Sequence, residues 1–460
     1  MDISETKNRK LPDLVNGPIL KSLITLSIPI VFINILHTAY QLIDTFWVGR
    51  LGAEAVAAVS LSFPILFLIL SLAGGLAVAG TIMVAQHKGK GDIKQVDYIA
   101  SQTLLMMIIT AISSAAIGYL LSEPLMKLTG AEADVLPDAT KYLKISFIGM
   151  IFIFGFFVYQ SLMRGVGIVK TPLIIVFGTV LLNLILDPLF ILGWGPIPGY
   201  GVSGAAIATI GTEGLAALIG ISLLISGKQG IHIKMKNLKI DFQMIKKMFK
   251  LGFPASISQS VRAFGLIIMI FLVASFDTTV IASYGIGGRI LSFIIIPAVG
   301  LSMATSTLVG QNIGAGKIDR AAKITKMSSL ISFFFLTSIG IIIFIFARPI
   351  VETFIPDNPE VIKSGALFVR IMALTFGFIG VQFTVNGTFE GSGKTNISMI
   401  LSIVSLFVFQ FPLAYILSKH TELGANGIYW SLPISNVLTV IITLIWYKTG
   451  SWKKKILVNN

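Results

Sequence analysis

The stretch Val84-Ala85-Gln86-His87-Lys88-Gly89 is answered by Val309-Gly310-Gln311-Asn312-Ile313-Gly314, about 225 residues further along the chain. Three further pairs follow the same order: Ser27-Ile28-Pro29 with Gly252-Phe253-Pro254, Arg164-Gly165-Val166-Gly167 with Glu390-Gly391-Ser392-Gly393, and Asp187-Pro188-Leu189 with Phe411-Pro412-Leu413. A period this long is an internal duplication of a whole lobe, so the chain reads as two halves of one plan.

Composition says what each half is made of. Of 460 residues, 55% are hydrophobic and 12% charged, against roughly 25% charged in an ordinary soluble domain. Long apolar windows start near Leu20, Ala55, Ala100, Leu143, Pro172, Ser203, Phe253, Val280, Ser328, Ala366, Ile397 and Ala425. Each is long enough to cross ~30 Å of hydrocarbon at ~1.5 Å per residue. The expected fold is an all-α integral membrane protein of twelve transmembrane helices in two six-helix lobes. Residues 1–226 form the N-lobe, 227–250 a basic cytoplasmic linker, and 251–460 the C-lobe. An even number of spans per half gives both halves the same orientation, related by a pseudo-two-fold axis along the membrane normal, with a central cleft.

The charge balance is 35 Lys and Arg against 21 Asp and Glu. Roughly 25 of the basic residues fall on alternate connections, beginning with Lys7 to Lys21 and ending with Lys448 to Lys455, which puts both termini in the cytoplasm by the positive-inside rule. The surplus therefore reports topology, and no nucleic-acid partner is expected. The first apolar run is too long for a signal-peptide core, so the N-terminus is read as retained. Cysteine is absent, which excludes disulfides, thiol nucleophiles and iron–sulfur ligation. No phosphate-binding loop, dinucleotide turn, HExxH or GxSxG occurs, so neither catalysis nor ATP-driven pumping is expected.

The halves differ where chemistry is carried. Asp44 aligns with Met269 and Asp187 with Phe411. A carboxylate at bilayer depth costs ~2.5–3.5 kcal/mol on insertion scales, so it is kept chiefly where it faces a cavity, a proton or a cation. His37, Tyr40, Gln41 and Asp44 fall at i, i+3, i+4 and i+7 and form one polar stripe. Asn183 and Asp187 stack one turn apart. Two carboxylates, an amide and a phenol suit a small hard cation, or acids that carry protons. The plainer alternative is that Asp44 reaches the interface and Asp187 marks a kink before Pro188. Glu213, Arg262 and Arg289 line the cleft or serve structure, Thr209 bonds its own helix or adds an oxygen ligand, and Pro29 and Pro254 invite bending.

Taken together, these residues resemble the multidrug and toxic compound extrusion (MATE) family, in particular its prokaryotic branch with an N-lobe carboxylate pair. The resemblance spans essentially the whole chain and rests on Pro29, Tyr40-Gln41-Leu42-Ile43-Asp44-Thr45, Ala85-Gln86-His87-Lys88-Gly89 and Asn183-Leu184-Ile185-Leu186-Asp187-Pro188. It implies an antiporter of the cell membrane that exports cationic or amphipathic organic compounds in exchange for Na⁺ or H⁺, with a monomer expected and no cofactor beyond the coupling ion. Carried over, Asp44 and Asp187 are the coupling carboxylates, Asn183 and Thr209 further ligands (with Asp44, Asn183 and Asp187 holding Na⁺ if sodium couples), and Tyr40 a hydrogen-bond partner. His37, Gln41 and Arg262 are substrate or gating residues, and Pro29 is the hinge. The departure is in the C-lobe, where Met269 and Phe411 stand in place of acids and Asp277 and Arg289 do not replace them. A flippase of lipid-linked saccharides shares the two-lobe plan and is the alternative, but it would be expected to place several Arg or Lys in the cleft.

Overall fold

A computed structural model describes residues 13–453; the basic residues Lys7, Arg9, Lys10, Lys454 and Lys455 lie outside them. The helices are α1 (Ile19–Gly49), α2 (Ala53–Lys90), α3 (Ile93–Leu128), α4 (Leu136–Val166), α5 (Lys170–Leu192), α6 (Val202–Ser226), α7 (Phe242–Val273), α8 (Thr278–Gly314), α9 (Ile318–Ile345), α10 (Ala347–Phe354), α11 (Pro359–Ala373), α12 (Phe376–Gly391), α13 (Thr395–Ile403), α14 (Phe411–Lys419) and α15 (Ala425–Lys448). Among the described residues, eleven spans are long and apolar enough to cross a membrane, with α13 and α14 forming one of them across a π-helical stretch, Val404–Gln410. The pair α11 and α12, bent by 48°, makes a twelfth.

Several helices start before the apolar windows do. The third begins at Ile93 rather than near Ala100, the seventh at Phe242 rather than Phe253, and the ninth at Ile318 rather than Ser328. Hydropathy marks only the part in hydrocarbon. At ~1.5 Å per residue the 38 residues of α2 extend ~57 Å, well past a ~30 Å core, and the excess is polar helix. Side-chain caps set the starts of α3, α8 and α11: Asp92 accepts from the Gln95 amide, Asp277 from Val280 and Asn358 from Val361, at 2.9–3.1 Å. Asp277 is thereby accounted for as a cap.

By contact the chain forms two compact units. One holds residues 28–256, the other residues 14–27 and those from Ile257 onward. In the first unit α4 packs on α2, α3 and α6, and α5 packs on α6. In the second, α12 packs on α8 and α9, and α14 on α15. One close approach recurs in both. A Cβ on Gly165 of α4 would lie 3.0 Å from the Thr81 carbonyl oxygen of α2, and one on Gly391 of α12 would lie 2.3 Å from the Ser306 carbonyl of α8. Only glycine lets these backbones meet.

The stretch 227–250 lies in the first unit, and α7 begins inside it. Its remainder is tied to α3. The Gln102 amide donates to the Asn237 and Lys239 carbonyls at 2.7 Å, Asp97 accepts from the His232 amide at 2.9 Å, and the Tyr98 hydroxyl donates to Asp241 at 2.6 Å. Asp241 in turn caps α7 through the amides of Gln243 and Met244. The Tyr98 hydroxyl first, then those amides, holds the Asp241 carboxyl below the usual carboxylate range.

Two predictions follow from this packing. Gly391→Ala should destabilise by about 2 kcal/mol, by overpacking against backbone that cannot yield, and Gly165→Ala by less; thermal unfolding of the detergent-solubilised protein measures both. A depressed carboxyl contributes stability that is present above its unfolded pKa and lost as pH falls through the folded value. Tyr98→Phe should therefore shift the acid-side loss of stability toward about pH 4, the unperturbed Asp value, as read from unfolding midpoints across a pH series.

Candidate functional site

The polar stripe of α1 lies in the first unit, and each member meets a different neighbour. Tyr40 is 8% exposed, and its hydroxyl lies 2.5 Å from Thr212 Oγ1 on α6. The single Thr212 hydroxyl proton already has α6 carbonyls to satisfy, Ala208 at 3.1 Å and Thr209 at 3.0 Å. The Tyr40 O–H therefore donates to Thr212. The Thr209 hydroxyl lies near the same phenol, one turn of α6 before Glu213.

One turn further on, half-buried Asp44 lies within electrostatic reach of Asp187 on α5, and buried Tyr142 on α4 lies within reach of both acids. Asn183 and Asp187 are fully buried, with Asn183 Nδ2 donating to Asp187 Oδ1 at 2.7 Å. This is the i, i+4 geometry that the α-helix imposes. Pro188 follows inside the helix, so the Leu184 carbonyl loses its regular amide donor beside the carboxylate.

What the cluster leaves unpaired is its main chemical fact. Asp44 Oδ1, Asn183 Oδ1, Asp187 Oδ2 and Glu213 Oε2 are buried side-chain oxygens without a hydrogen-bond partner. Buried acceptors are nearly always paired, and an unpaired one costs about 1–3 kcal/mol, more if charged. The four lie on three helices, α1, α5 and α6. The Tyr40 phenol is within electrostatic reach of both Glu213 and Asp44. Among the described residues no three His, Asp or Glu side chains converge tightly enough to hold a metal ion by themselves. A cation here would be held by two carboxylates with amide and hydroxyl oxygens.

Of the residues singled out in the sequence, Tyr40, Asp44, Asn183, Asp187 and Thr209 come together. His37 stands apart from them, its Nε2 3.4 Å from Gln160 Nε2 on α4. Gln41 is exposed, because at i+1 from Tyr40 it turns off the buried face. Pro29 is buried at the start of the first unit's share of α1. Arg262 belongs to the second unit, where its guanidinium lies over the Phe383 ring at 4.6 Å. Arg289 is exposed on α8. Thr212 and Tyr142 were not evident in the sequence, since a lone hydroxyl in an apolar helix carries no periodic signal. In the second unit the repeat equivalents of the acids are apolar throughout: Met269 is fully buried in the hydrophobic core, and Phe411 packs against that core.

Two segments of the chain, 29–189 and 254–416, match the MatE family. They begin on Pro29 and Pro254, one segment to each half. The chain belongs to the MatE family. It is similar to the probable multidrug resistance protein YpnP of Bacillus subtilis, 30% identical with 96% of this chain and 98% of that protein covered. It is also similar to an FAD transporter of Shewanella oneidensis, 27% identical over 92% of this chain and 93% of that one. A solved MOP superfamily transporter from Pyrococcus furiosus superposes with a TM-score of 0.89 at 25% identity, covering 97% of this chain and all of that one (100%). MatE proteins are multi-pass membrane transporters, not enzymes, and this chain is one of them.

The geometry separates neighbouring residues of α1. Tyr40→Phe should lower stability by about 1 kcal/mol through the lost Thr212 bond. Gln41→Ala should stay within about 0.5 kcal/mol of the parent. Thermal unfolding of the two variants side by side measures the difference.

Proposed function

We propose that this transporter is a multidrug antiporter that exports cationic or amphipathic organic compounds in exchange for Na⁺ or H⁺. The observation that carries the proposal is the pair Asp44 and Asp187, within electrostatic reach of each other, each keeping a buried oxygen without a partner. Two close carboxylates titrate as a coupled pair and have a low cost of taking up one positive charge. That charge is a shared proton, or a hard cation on Asp44 and Asp187 with the free Asn183 oxygen and the Thr209 hydroxyl as further ligands. The ion is cargo, and no cofactor enters the cycle.

Occupancy of the pair by the ion and occupancy by an organic cation disfavour each other, because both draw on the same negative charge. Coupling of that kind is reciprocal in binding free energy, so ion entry promotes substrate release and the reverse. Tyr40 fixes α1 to α6 through Thr212, so a change of charge at Asp44 is felt along the outer part of α1, with Pro29 as the point where that helix bends. Met269 and Phe411 leave the second unit without equivalent acids, which supports coupling through the first unit. The name of the Bacillus relative supports drugs as substrates. The basic connections support cytoplasmic termini, and on this reading the transporter acts as a monomer in the plasma membrane without a nucleic-acid partner.

The test is efflux of ethidium from proteoliposomes with the Na⁺ and pH gradients imposed separately. One gradient should drive transport in the parent protein, and Asp44→Asn and Asp187→Asn should each abolish it while eluting as folded protein. Transport retained in both variants would overturn the assignment.

A further inference from the structure

The repeat exposes a second asymmetry, at the opposite end of the helices from the carboxylate pair. In the first unit the turn Gly91-Asp92-Ile93 opens α3, and Asp92 caps it. Here Tyr98 donates to Asp241, whose carboxylate caps α7. An offset of 225 residues carries Gly91-Asp92-Ile93 to Gly316-Lys317-Ile318, Gln95 to Arg320, Tyr98 to Lys323 and Asp241 to Asn16. Gly91 and Gly316 share the left-handed backbone, with φ of 83° and 78°, so the corner itself is built the same way. Both carboxylates have gone from it, and cations stand in place of Asp92, Gln95 and Tyr98. Lys94 is answered by Asp319, the one acid at the new corner.

The second unit has not replaced what was lost. Helix α9 starts at Ile318 with Lys317 in the capping position and no side-chain cap, so its first-turn amides lack the acceptor that α3 has. Lys317 bonds the neutral side chain of Asn16, and Arg320 bonds the carbonyl of Gly17. Arg320 Nε is buried without a partner. No salt bridge among the described residues involves Lys317, Arg320 or Lys323. These three cations, with Asp319, Gly316, Ile318 and Ile19, line a cavity of about 420 Å³. Ile19 is the first residue of α1, so two helix starts and three unneutralised cations share one cavity, at the level where membrane-spanning helices end.

We propose that this cavity is a phosphate-binding site, whose ligand supplies the negative charge that Asp92 and Asp241 supply in the first unit. The phosphate is either the headgroup of an anionic phospholipid or a free phosphate. It bridges Lys317 and Arg320 to the uncapped start of α9. It thereby fixes the segment Leu14 to Gly17, whose Leu14 carbonyl accepts from Asn312 at 3.1 Å, to the α8–α9 turn. The site uses none of the groups assigned to coupling.

The experiment is thermal unfolding of the full chain in detergent, with phosphatidylglycerol, phosphatidylcholine or inorganic phosphate added. Phosphatidylglycerol alone raising the midpoint identifies a lipid headgroup, and inorganic phosphate raising it as well identifies a free phosphate. Lys317→Gln with Lys323→Gln should weaken the response about tenfold or more in ligand concentration, as expected for charged hydrogen bonds. Lys228→Gln with Lys236→Gln, the same charge change in the first unit, should leave the response unaltered. Lys317→Asp restores the cap and should raise the ligand-free midpoint while removing the response. A midpoint indifferent to both additives, or a response that survives Lys317→Gln with Lys323→Gln, overturns the proposal.

Discussion

The structure depends on a first helix that serves two units. Residues 14–27 pack with the second unit, and the same helix continues from Ile28 into the first, where it delivers Tyr40 and Asp44. Helix α7 changes units too, at Ser256 and Ile257, two residues beyond Pro254. Both transfers fall beside a proline, where the backbone ladder is already short of one hydrogen bond and bending is least opposed. The polar chemistry of the first unit is therefore mounted on a rod whose other end is held by different neighbours.

Within the first unit, burial and pairing are out of balance. Thr212 and Gln102 spend their hydrogen-bonding capacity on helices and connections, as buried polar groups ordinarily do. Asp44, Asp187 and Glu213 do not. The second unit, built on the same plan, fills the two repeat positions with Met269 and Phe411 and closes its core. At these two repeat positions the duplicated fold is packed with apolar side chains in one half and carries buried carboxylates in the other.

Much of this was legible in the sequence because it is local. Asn183 and Asp187 lie one turn apart, so their bond follows from helical geometry alone, and the spacing of Tyr40 and Asp44 places them on one face. The repeat of Gln86 and Gln311 announced the two halves, and hydropathy located the spans. Partners across helices were not legible. Thr212 is 172 residues from Tyr40, and nothing in its neighbours marks it out. Helix starts were misplaced wherever a polar segment continued the helix beyond the lipid, as at Phe242. The stretch after Gly227 reads as a cytoplasmic linker because it is basic and polar. Its attachment depends on Asp97, Tyr98 and Gln102, three side chains that charge counting treats as ordinary surface.

The contacts of the N-terminal segment bear on how the protein is made. Leu14, Asn16 and Gly17 bond to Asn312, Lys317 and Arg320, partners about 300 residues later in the chain. Synthesis runs from the N-terminus at roughly 5–20 residues per second, so this segment emerges well before its partners and waits for them. The first unit can close once Ser256 has been inserted, whereas the second cannot be completed from its own half alone. The second unit therefore closes only on a segment made about 300 residues before its partners, and a chain cut between its halves would leave the C-terminal product missing a strip of its own core.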